Sequence, residues 1–312
     1  MIAYSYGYCW FGTKRFRWLF APNPFRAKRI DGNNRGNATD MKIAVHQMCS
    51  GIELSENTQK IVDGISSAGQ QRACMYFAPE MSVLIDRDRQ RAKSSITSEA
   101  NTPALSAICR AAADAAIWVN LGSMPVVHED GGGRYGNRSI VIDDQGIVRA
   151  RYDKMHLFDV DLSTGERWRE SAVYNGGDGP VAVETPLGLM GLTICYDIRF
   201  PDLYSQLARA GVQVFSVPAA FTVPTGVAHW HVLLRARAIE SAAFVVAAAQ
   251  SGKHADGRET FGHSLVVDPW GDVILDMGDG EGLSVVDLDM ARIEAVRAQI
   301  PVHLNRRAIP TV

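Results

Sequence analysis

From residue 41 onward, short apolar strand-like runs alternate with helix-like stretches, and no linker interrupts the alternation. Strands that alternate with helices are typical of crossover connections, which predict an α/β fold. The segments 139–150 and 181–194 each contain two strand-like runs joined by turn residues, so they predict hairpins and antiparallel neighbours. We therefore expect a single α/β domain whose sheets are mixed.

The same alternation gives bounds for the other elements. A polar, glycine-rich loop is expected at 128–136. Further strands are predicted at 42–47, 74–77, 117–122, 212–217, 244–249, 263–267 and 273–275. Helices are predicted at 54–68, 103–115, 202–210, 228–242 and 289–299.

Composition and charge exclude several classes of protein. The chain has 312 residues, of which 46% are hydrophobic and 21% charged, and this is ample material for a globular core. Its net charge of −2 gives no electrostatic reason to bind nucleic acid or an anionic membrane. No apolar run reaches about 18 residues, so we expect no membrane span. The five cysteines are scattered and lack metal-site spacing, which argues against disulfides and zinc and favours a reducing, cytoplasmic compartment.

The first 40 residues differ from the rest of the chain. They carry seven Lys or Arg residues against two Asp, and aromatic residues crowd their first half. The segment 32–37 has the Gly and Asn content of a flexible linker. We interpret 1–40 as a basic, disordered N-terminal extension; a basic aromatic arm that touches membrane or nucleic acid is the alternative. The basic residues follow the aromatic stretch, which does not fit a signal peptide.

Cys195 is the first candidate for a catalytic residue. It ends an apolar, β-branched run, and a helix-like segment follows it. Such a strand-to-turn junction is where an α/β fold presents a nucleophile at the carboxyl edge of its sheet. The alternative is a buried structural cysteine, since free cysteine is among the most buried residue types.

Two further segments each place an ionisable residue just past a predicted strand. Glu80 ends one apolar run, and Lys154 ends another. If these strands and the one before Cys195 are parallel neighbours, the three side chains converge above one sheet edge. A thiol needs a base or a cation to become a nucleophile at neutral pH. A carboxylate can take its proton, and a lysine can stabilise the oxyanion that forms on attack at a carbonyl.

Taken together, these segments resemble the carbon–nitrogen hydrolase (nitrilase-like) superfamily, over roughly Met41 to Arg307. The matching motifs are Pro79-Glu80, Lys154-Met155-His156 and the stretch CYDIRFP at 195–201. The resemblance implies an α-β-β-α sandwich, in which two sheets pack face to face with helices outside. It also implies a homodimer that uses no cofactor and no catalytic metal. On this basis we assign 41–307 to the hydrolase domain and 308–312 to a C-terminal tail.

The resemblance assigns roles to the three candidates. Cys195 is expected to attack a carbonyl carbon and form a thioester, with Glu80 as general base and Lys154 as oxyanion stabiliser. Glu170 corresponds to a second glutamate that orients the lysine and the hydrolytic water; a solvated loop charge is its alternative. The backbone N–H of Tyr196 is the expected second oxyanion donor, because the residue after such a nucleophile points its amide at the developing charge.

Other nearby residues receive weaker assignments. Phe221, Thr222 and His229 could line a substrate pocket, with simple loop and helix-cap packing as the alternative. His156 is interpreted as a hydrogen-bonding support rather than a catalytic base. Arg199 is interpreted as structural, paired with a carboxylate such as Asp197.

The residues after the cysteine indicate a branch of the superfamily. True nitrilases usually carry Trp and Glu there, whereas this chain has Tyr196-Asp197, which implies an amide substrate rather than a nitrile. Further motifs resemble the deaminated-glutathione amidase branch and its close relative omega-amidase, both of which act on a terminal amide of a 2-oxo acid derivative. The stretch VAAAQ at 246–250 favours the former, and N-carbamoyl-amino-acid hydrolases are more distant. These motifs are KMHLFDVD at 154–161, AAFT at 219–222, AHW at 228–230, LLRARAIE at 233–240 and GHS at 262–264.

A non-enzymatic reading remains as the rival class. A scaffold protein could keep this fold and bind partners through its dimer face or its basic arm. The presence of Glu80, Lys154 and Cys195 argues against it, and trapping of an electrophile by the protein would distinguish the two.

Overall fold

The computed structural model describes residues 40–128, 133–161, 165 and 167–310. The N-terminal extension assigned to 1–40 therefore lies outside the described residues, apart from Asp40. Residues 129–132 of the expected glycine-rich loop and the last two residues of the 308–312 tail also lie outside them.

Eighteen strands occur in the described part of the chain, and most are short. In chain order they are β1 (Asp40–Gln47), β2 (Met75–Phe77), β3 (Trp118–Asn120), β4 (Met124–Val127), β5 (Tyr135–Ile142), β6 (Val148–Asp153), β7 (Asp159–Asp161), β8 (Arg167–Arg169), β9 (Tyr174–Asn175), β10 (Val181–Thr185), β11 (Gly188–Leu192), β12 (Val214–Ser216), β13 (Phe244–Ala247), β14 (Ser251–Lys253), β15 (Glu259–Phe261), β16 (Leu265–Val267), β17 (Val273–Asp276) and β18 (Gly282–Asp289).

Seven α-helices also occur in the described part of the chain. Three of them have Pro at the first or second helical position, where its missing N–H costs no helical hydrogen bond. No helix there combines the length and the hydropathy that crossing a bilayer requires. The helices are α1 (Leu54–Gln70), α2 (Arg89–Ala92), α3 (Pro103–Ala115), α4 (Pro201–Arg209), α5 (Val223–Ser241), α6 (Ala291–Gln299) and α7 (Val302–Asn305).

The strands form two large mixed sheets and two small ribbons. The first sheet has the order β18-β1-β2-β3-β5-β4, and β6 and β9 also pair with β5. The second has the order β10-β11-β12-β13-β16-β17. In both sheets, parallel pairs at the centre are flanked by antiparallel pairs, as the predicted combination of crossovers and hairpins requires.

The burial pattern along β1 shows how the layers stack. Ile43 and Val45 belong to a core cluster that also contains Leu192 and Val245 of the second sheet. Ala44, which points to the opposite face, belongs to a second cluster formed with α1 and α3. The first sheet is therefore buried on one face by the second sheet and on the other by helices, and the predicted α-β-β-α sandwich is confirmed.

Three differences from the predicted elements have physical causes. β18 was missed, although it pairs with β1 over all eight residues, because its partner lies about 240 positions away in the sequence. β4 was also missed, and it adds an antiparallel edge next to β5. Helix α5 begins five residues earlier than predicted, because Thr222 has the extended N-cap conformation and Pro224 fits the first turn.

Candidate active site

Glu80 reaches the space between the sheets from a loop that follows β2. The residue is only 5% exposed. Its Oε1 accepts hydrogen bonds from Lys154 Nζ and Asn137 Nδ2, each at 2.9 Å. Its Oε2 accepts one from the Ala220 N–H, also at 2.9 Å. A buried carboxylate with three donors is satisfied in its ionised form.

Lys154 follows the last residue of β6 and is 2% exposed. Its backbone N–H donates to the Asn137 carbonyl at 2.9 Å, which continues the pairing with β5 past the end of β6. Besides Glu80, its Nζ donates to Glu170 Oε1 at 3.1 Å and Oε2 at 2.9 Å. The lysine therefore lies between two carboxylates, which fixes its ammonium in place.

Cys195 comes from the second sheet. It follows β11 by three residues and begins a short 3-10 turn over 195–199. Its φ of +47° is in the left-handed region, which is unfavourable for a residue with a Cβ. The Cys195 N–H donates to the Pro218 carbonyl at 2.9 Å, and this bond holds the strained turn. The turn directs the thiol toward the charged pair and leaves it 8% exposed.

The structure brings the three predicted residues together, but not in the predicted way. β2 and β6 belong to the first sheet, with β3 and β5 between them, whereas β11 belongs to the second sheet. The three side chains therefore meet between two facing sheets, and the condition of parallel neighbours at one sheet edge is not the one that brings them together. Local patterning marks where each strand ends, but it does not say to which sheet the strand belongs.

Two residues complete the charged cluster. Glu170, in a 3-10 turn after β8, also accepts a hydrogen bond from the Phe158 N–H at 2.7 Å. Asn137, in β5, was not singled out in the sequence. Its amide donates to both Glu80 and Glu170, at 2.9 and 3.3 Å. Its Oδ1 is buried and has no hydrogen-bond partner among the described residues. The sequence held no clear signal for it, because Asn137 lies beside Gly136 and Arg138 in the polar first half of β5.

Comparison with known proteins decides the family. Residues 42–298 match the carbon–nitrogen hydrolase family.

The chain belongs to the carbon–nitrogen hydrolase family.

Three similar proteins illustrate the relationship. A deaminated glutathione amidase from Mus musculus is 39% identical over 272 residues, which are 85% of this chain and 83% of the relative. The crystal structure of the Caenorhabditis elegans NitFhit protein is 36% identical with a TM-score of 0.80, covering 86% of this chain and 65% of that one. A Glu-to-Gln mutant of the amidase from Nesterenkonia sp. AN1 is 27% identical with a TM-score of 0.69, covering 84% of this chain and 98% of that one. The structure of that mutant shows the result of Michael addition of acrylamide at the active site cysteine.

The electrostatics of this carbon–nitrogen hydrolase set the resting protonation states. Burial alone would raise the pKa of Glu80, but the Lys154 ammonium and the hydrogen bonds to the carboxylate outweigh it and hold that pKa below its ordinary value. Burial, together with the Glu80 charge, raises the pKa of the Cys195 thiol well above its ordinary value. For Lys154, burial opposes the charge, but the two glutamates raise its pKa well above the ordinary value. The resting site thus holds a neutral thiol beside an ionised carboxylate and an ammonium.

Asp197 braces the nucleophile turn of the hydrolase. Its Oδ2 accepts from the Ile194 N–H at 2.8 Å and from Tyr152 Oη at 2.7 Å. Its Oδ1 lies 2.7 Å from His156 Nδ1 and accepts from the His156 N–H at 3.1 Å. The His156 ring also stacks on Phe200, with 3.6 Å between the ring centroids. His156 therefore contacts Asp197, which holds the turn in place, in agreement with the interpretation of a supporting role.

The suggested pairing of Arg199 with Asp197 was wrong, because the other donors already occupy both oxygens of Asp197. Arg199 Nη2 instead lies 3.3 Å from His229 Nδ1. The guanidinium also lies over the rings of Tyr196 and Phe221, at 6.0 and 5.5 Å from their centroids.

A cavity of about 700 Å³ opens onto the site of the hydrolase. Its walls include the Glu80, Lys154, Glu170 and Cys195 cluster and the side of Tyr196. Phe221 and Thr222, predicted as pocket residues, line it, whereas His229 lies on an exposed face of α5 outside it. Five arginines that were not predicted from the sequence share these walls, and they are Arg87, Arg89, Arg167, Arg169 and Arg258.

Proposed function

We propose that this carbon–nitrogen hydrolase cleaves the amide of a small carboxylic acid through a thioester on Cys195 and releases ammonia. The observation that carries the proposal is the buried cluster in which Glu80 is held ionised while the Cys195 thiol stays protonated. A general base and its proton donor are thus paired before substrate arrives. This arrangement suits attack on a carbonyl, where proton transfer and C–S bond formation proceed together.

In the acylation step, Glu80 takes the proton of Cys195 while the sulfur attacks the carbonyl carbon. Lys154 Nζ stabilises the oxyanion of the tetrahedral intermediate, and the Tyr196 N–H is proposed as the second donor. When the C–N bond breaks, Glu80 gives its proton to the nitrogen, and ammonia leaves. The acyl group then remains on sulfur as a thioester.

In the deacylation step, Glu80 takes a proton from water as the water oxygen attacks the thioester carbon. Collapse of the second tetrahedral intermediate breaks the C–S bond, and the proton returns to sulfur. The carboxylic acid product leaves, and the site is restored. Glu170, which holds Lys154 and faces the same cavity, is proposed to orient the ammonium and the water.

The cavity favours an anionic substrate. Five arginines line it, against the two carboxylates Asp86 and Glu259 outside the catalytic cluster. Ion pairs reduce the influence of charges of both signs: Asp86 is paired with Arg91 at 2.7 Å. Arg169 and Arg258 are paired with Asp161 and Asp256, each at 2.8 Å. An amide that carries a carboxylate away from its reacting carbonyl fits this surface. We therefore favour deaminated glutathione as the substrate, in line with the name of the mouse relative. Omega-amidase and N-carbamoyl-amino-acid amidohydrolase activities are the alternatives.

Two further properties are proposed with the activity. We infer a homodimer, supported by the apolar side chains that α5 presents to solvent, Val227 at 72% and Val232 at 68% exposure. We infer a cytoplasmic location, supported by the four described cysteines, which are all free. The partner is thus a small amide and a second copy of this chain.

The experiment that tests the function is a panel of amides with ammonia release as the readout. Deaminated glutathione, a 2-oxo acid ω-amide and an N-carbamoyl amino acid represent the three alternatives. We expect the highest kcat/KM for deaminated glutathione and no ammonia from any substrate with Cys195→Ala. A protein that binds amides but releases no ammonia from any of them would support the scaffold reading instead.

A further inference from the structure

A second cluster of ionisable side chains lies away from the catalytic cavity. His231 lies on α5, His263 precedes β16, and Asp276 ends β17. Asp276 Oδ2 lies 2.9 Å from His231 Nε2, and its Oδ1 lies 2.8 Å from His263 Nδ1. One ligand atom from each of the three residues lies within 4.8 Å of the ligand atoms of the other two. None of the three residues lines the catalytic cavity, so the reaction leaves them unexplained.

The surrounding structure fixes two of these side chains. The His263 ring stacks on Phe261, with 4.5 Å between centroids and 19° between planes. The His263 backbone has a φ of +53° and donates its N–H to the Gly278 carbonyl at 2.8 Å. Asp276 Oδ1 in turn accepts from the Gly278 N–H at 2.9 Å. The strained His263 backbone and the hydrogen bonds that Gly278 makes with both His263 and Asp276 indicate a specific, well-ordered arrangement rather than a chance surface contact.

The donor set has the chemistry of a transition-metal site. Two imidazole nitrogens and one carboxylate oxygen are ligands that zinc, nickel and copper ions take in proteins. The side chains are 27–37% exposed, so an ion can enter from solvent.

The spacing suits a single ion. Ligand atoms at about 2.0–2.1 Å from a tetrahedral zinc ion lie about 3.3 Å apart. The two N···O separations of 2.8 and 2.9 Å are a few tenths of an ångström shorter. A rotation of His231 lengthens its separation from Asp276, and a small rotation of the Asp276 carboxylate lengthens the separation from His263. Each imidazole must then carry its proton on the outward nitrogen. For His263 that nitrogen, Nε2, lies 4.0 Å from the exposed Asp279 Oδ1, which is beyond hydrogen-bond distance, so solvent receives the outward N–H.

We propose that His231, His263 and Asp276 bind one divalent transition-metal ion of the zinc, nickel or copper type, with solvent completing its coordination. The ion would tie α5 to the β16–β17 hairpin. The role of the ion is structural, since it would hold α5 in place where the helix begins at the cavity wall. The packing there is close: a Cβ added at Gly226 of α5 would lie 2.2 Å from the ring of Phe261. The site does not depend on the proposed amidase activity.

Zinc titration of the full chain by isothermal calorimetry tests this site. The protein carries Cys195→Ala, so that the catalytic thiol does not bind the ion, and no polyhistidine tag. We expect one zinc ion per chain. His231→Gln, His263→Asn and Asp276→Asn should each weaken zinc binding by about tenfold or more. Asn is chosen at position 263 because it tolerates the left-handed backbone.

His229→Gln is the matched control, since it removes another histidine from the same helix two residues away and should change the zinc affinity by less than about twofold. Thermal unfolding with and without zinc checks the variants independently, because an ion that binds the folded state raises the midpoint. Zinc should raise it for the Cys195→Ala parent and not for the three ligand variants. Two results would contradict the proposal: no zinc binding by the parent up to about 1 mM zinc, or equal binding by the parent and all variants. Either would show that the cluster only joins α5 to the β16–β17 hairpin by hydrogen bonds.

Discussion

Lys154 Nζ lies 2.9 Å from Glu80 Oε1, and both side chains are buried between the two sheets. The ion pair keeps the carboxylate charged in a place where burial alone would neutralise it. The Cys195 thiol beside it stays protonated, since burial and the same carboxylate both raise the thiol pKa. The pair therefore creates a base that can accept a proton at the moment of attack.

Lys154→Met should lower both activity and stability. We expect kcat to fall by about two to three powers of ten, because the oxyanion loses its cationic donor. The free energy of unfolding should fall by about 3–5 kcal/mol, because the buried Glu80 and the partly buried Glu170 lose their partner. Ammonia release and urea denaturation measure the two effects.

The matched control is Lys60→Met, which breaks the exposed pair of Lys60 with Glu281, 2.8 Å apart. We expect this variant to keep its rate and to lose less than about 1 kcal/mol. A Lys154→Met protein with wild-type kcat would rule out the oxyanion role.

Asn137 is predicted to be a positioning residue. Asn137→Ala removes the amide that joins Glu80 to Glu170, so we expect kcat to fall by about ten- to a hundredfold through misplacement of the carboxylates. The acid limb of the pH–rate profile should also shift to higher pH, since Glu80 loses a hydrogen bond that lowers its pKa. Ser139→Ala, on the same strand, is the control: its buried hydroxyl has no hydrogen-bond partner among the described residues. If both variants lower kcat equally and neither shifts the profile, Asn137 is only structural.

The pKa directions predict how activity depends on pH. Glu80 has a pKa below its ordinary value of 4.5, so kcat/KM should fall only in acid, as pH drops through the folded-state value. Stability follows the same sign: the contribution of Glu80 is present above 4.5 and is lost as pH falls through the lowered pKa. Lys154 contributes stability below 10.5 and loses it as pH rises through its raised pKa. A tenfold rise of kcat/KM per unit between about pH 6 and 8 would instead indicate that bulk ionisation of the thiol limits the rate.

The sequence predicted the local parts of the site better than its assembly. Glu80, Lys154 and Cys195 could be located because each follows a recognisable strand, and a strand end is a local signal. The sheet to which each strand belongs depends on pairings such as β1 with β18, which join residues about 240 positions apart. Asn137 and the cavity arginines were missed for the same reason, since only tertiary packing brings them to the carboxylates and the cavity.

The N-terminal extension is predicted to be dispensable. A chain that begins at Met41 keeps nearly all of β1 and the exposed ion pair of Lys42 with Asp287, 3.0 Å apart. We expect it to fold, to dimerise and to release ammonia at the rate of the full chain. Circular dichroism, light scattering and the ammonia assay check these three properties. Loss of solubility or activity would place the domain boundary earlier than residue 41.

The most direct test of the proposed mechanism is the mass of the enzyme quenched during turnover. We expect an acyl adduct on the peptide that contains Cys195. The adduct should accumulate further in Glu170→Gln, if that glutamate orients the hydrolytic water. Cys195→Ala should carry no adduct and release no ammonia, whereas Cys49→Ala should behave like the wild type. An adduct on another residue, or more than about a hundredth of the wild-type rate in Cys195→Ala, would contradict the assignment of Cys195 as the nucleophile.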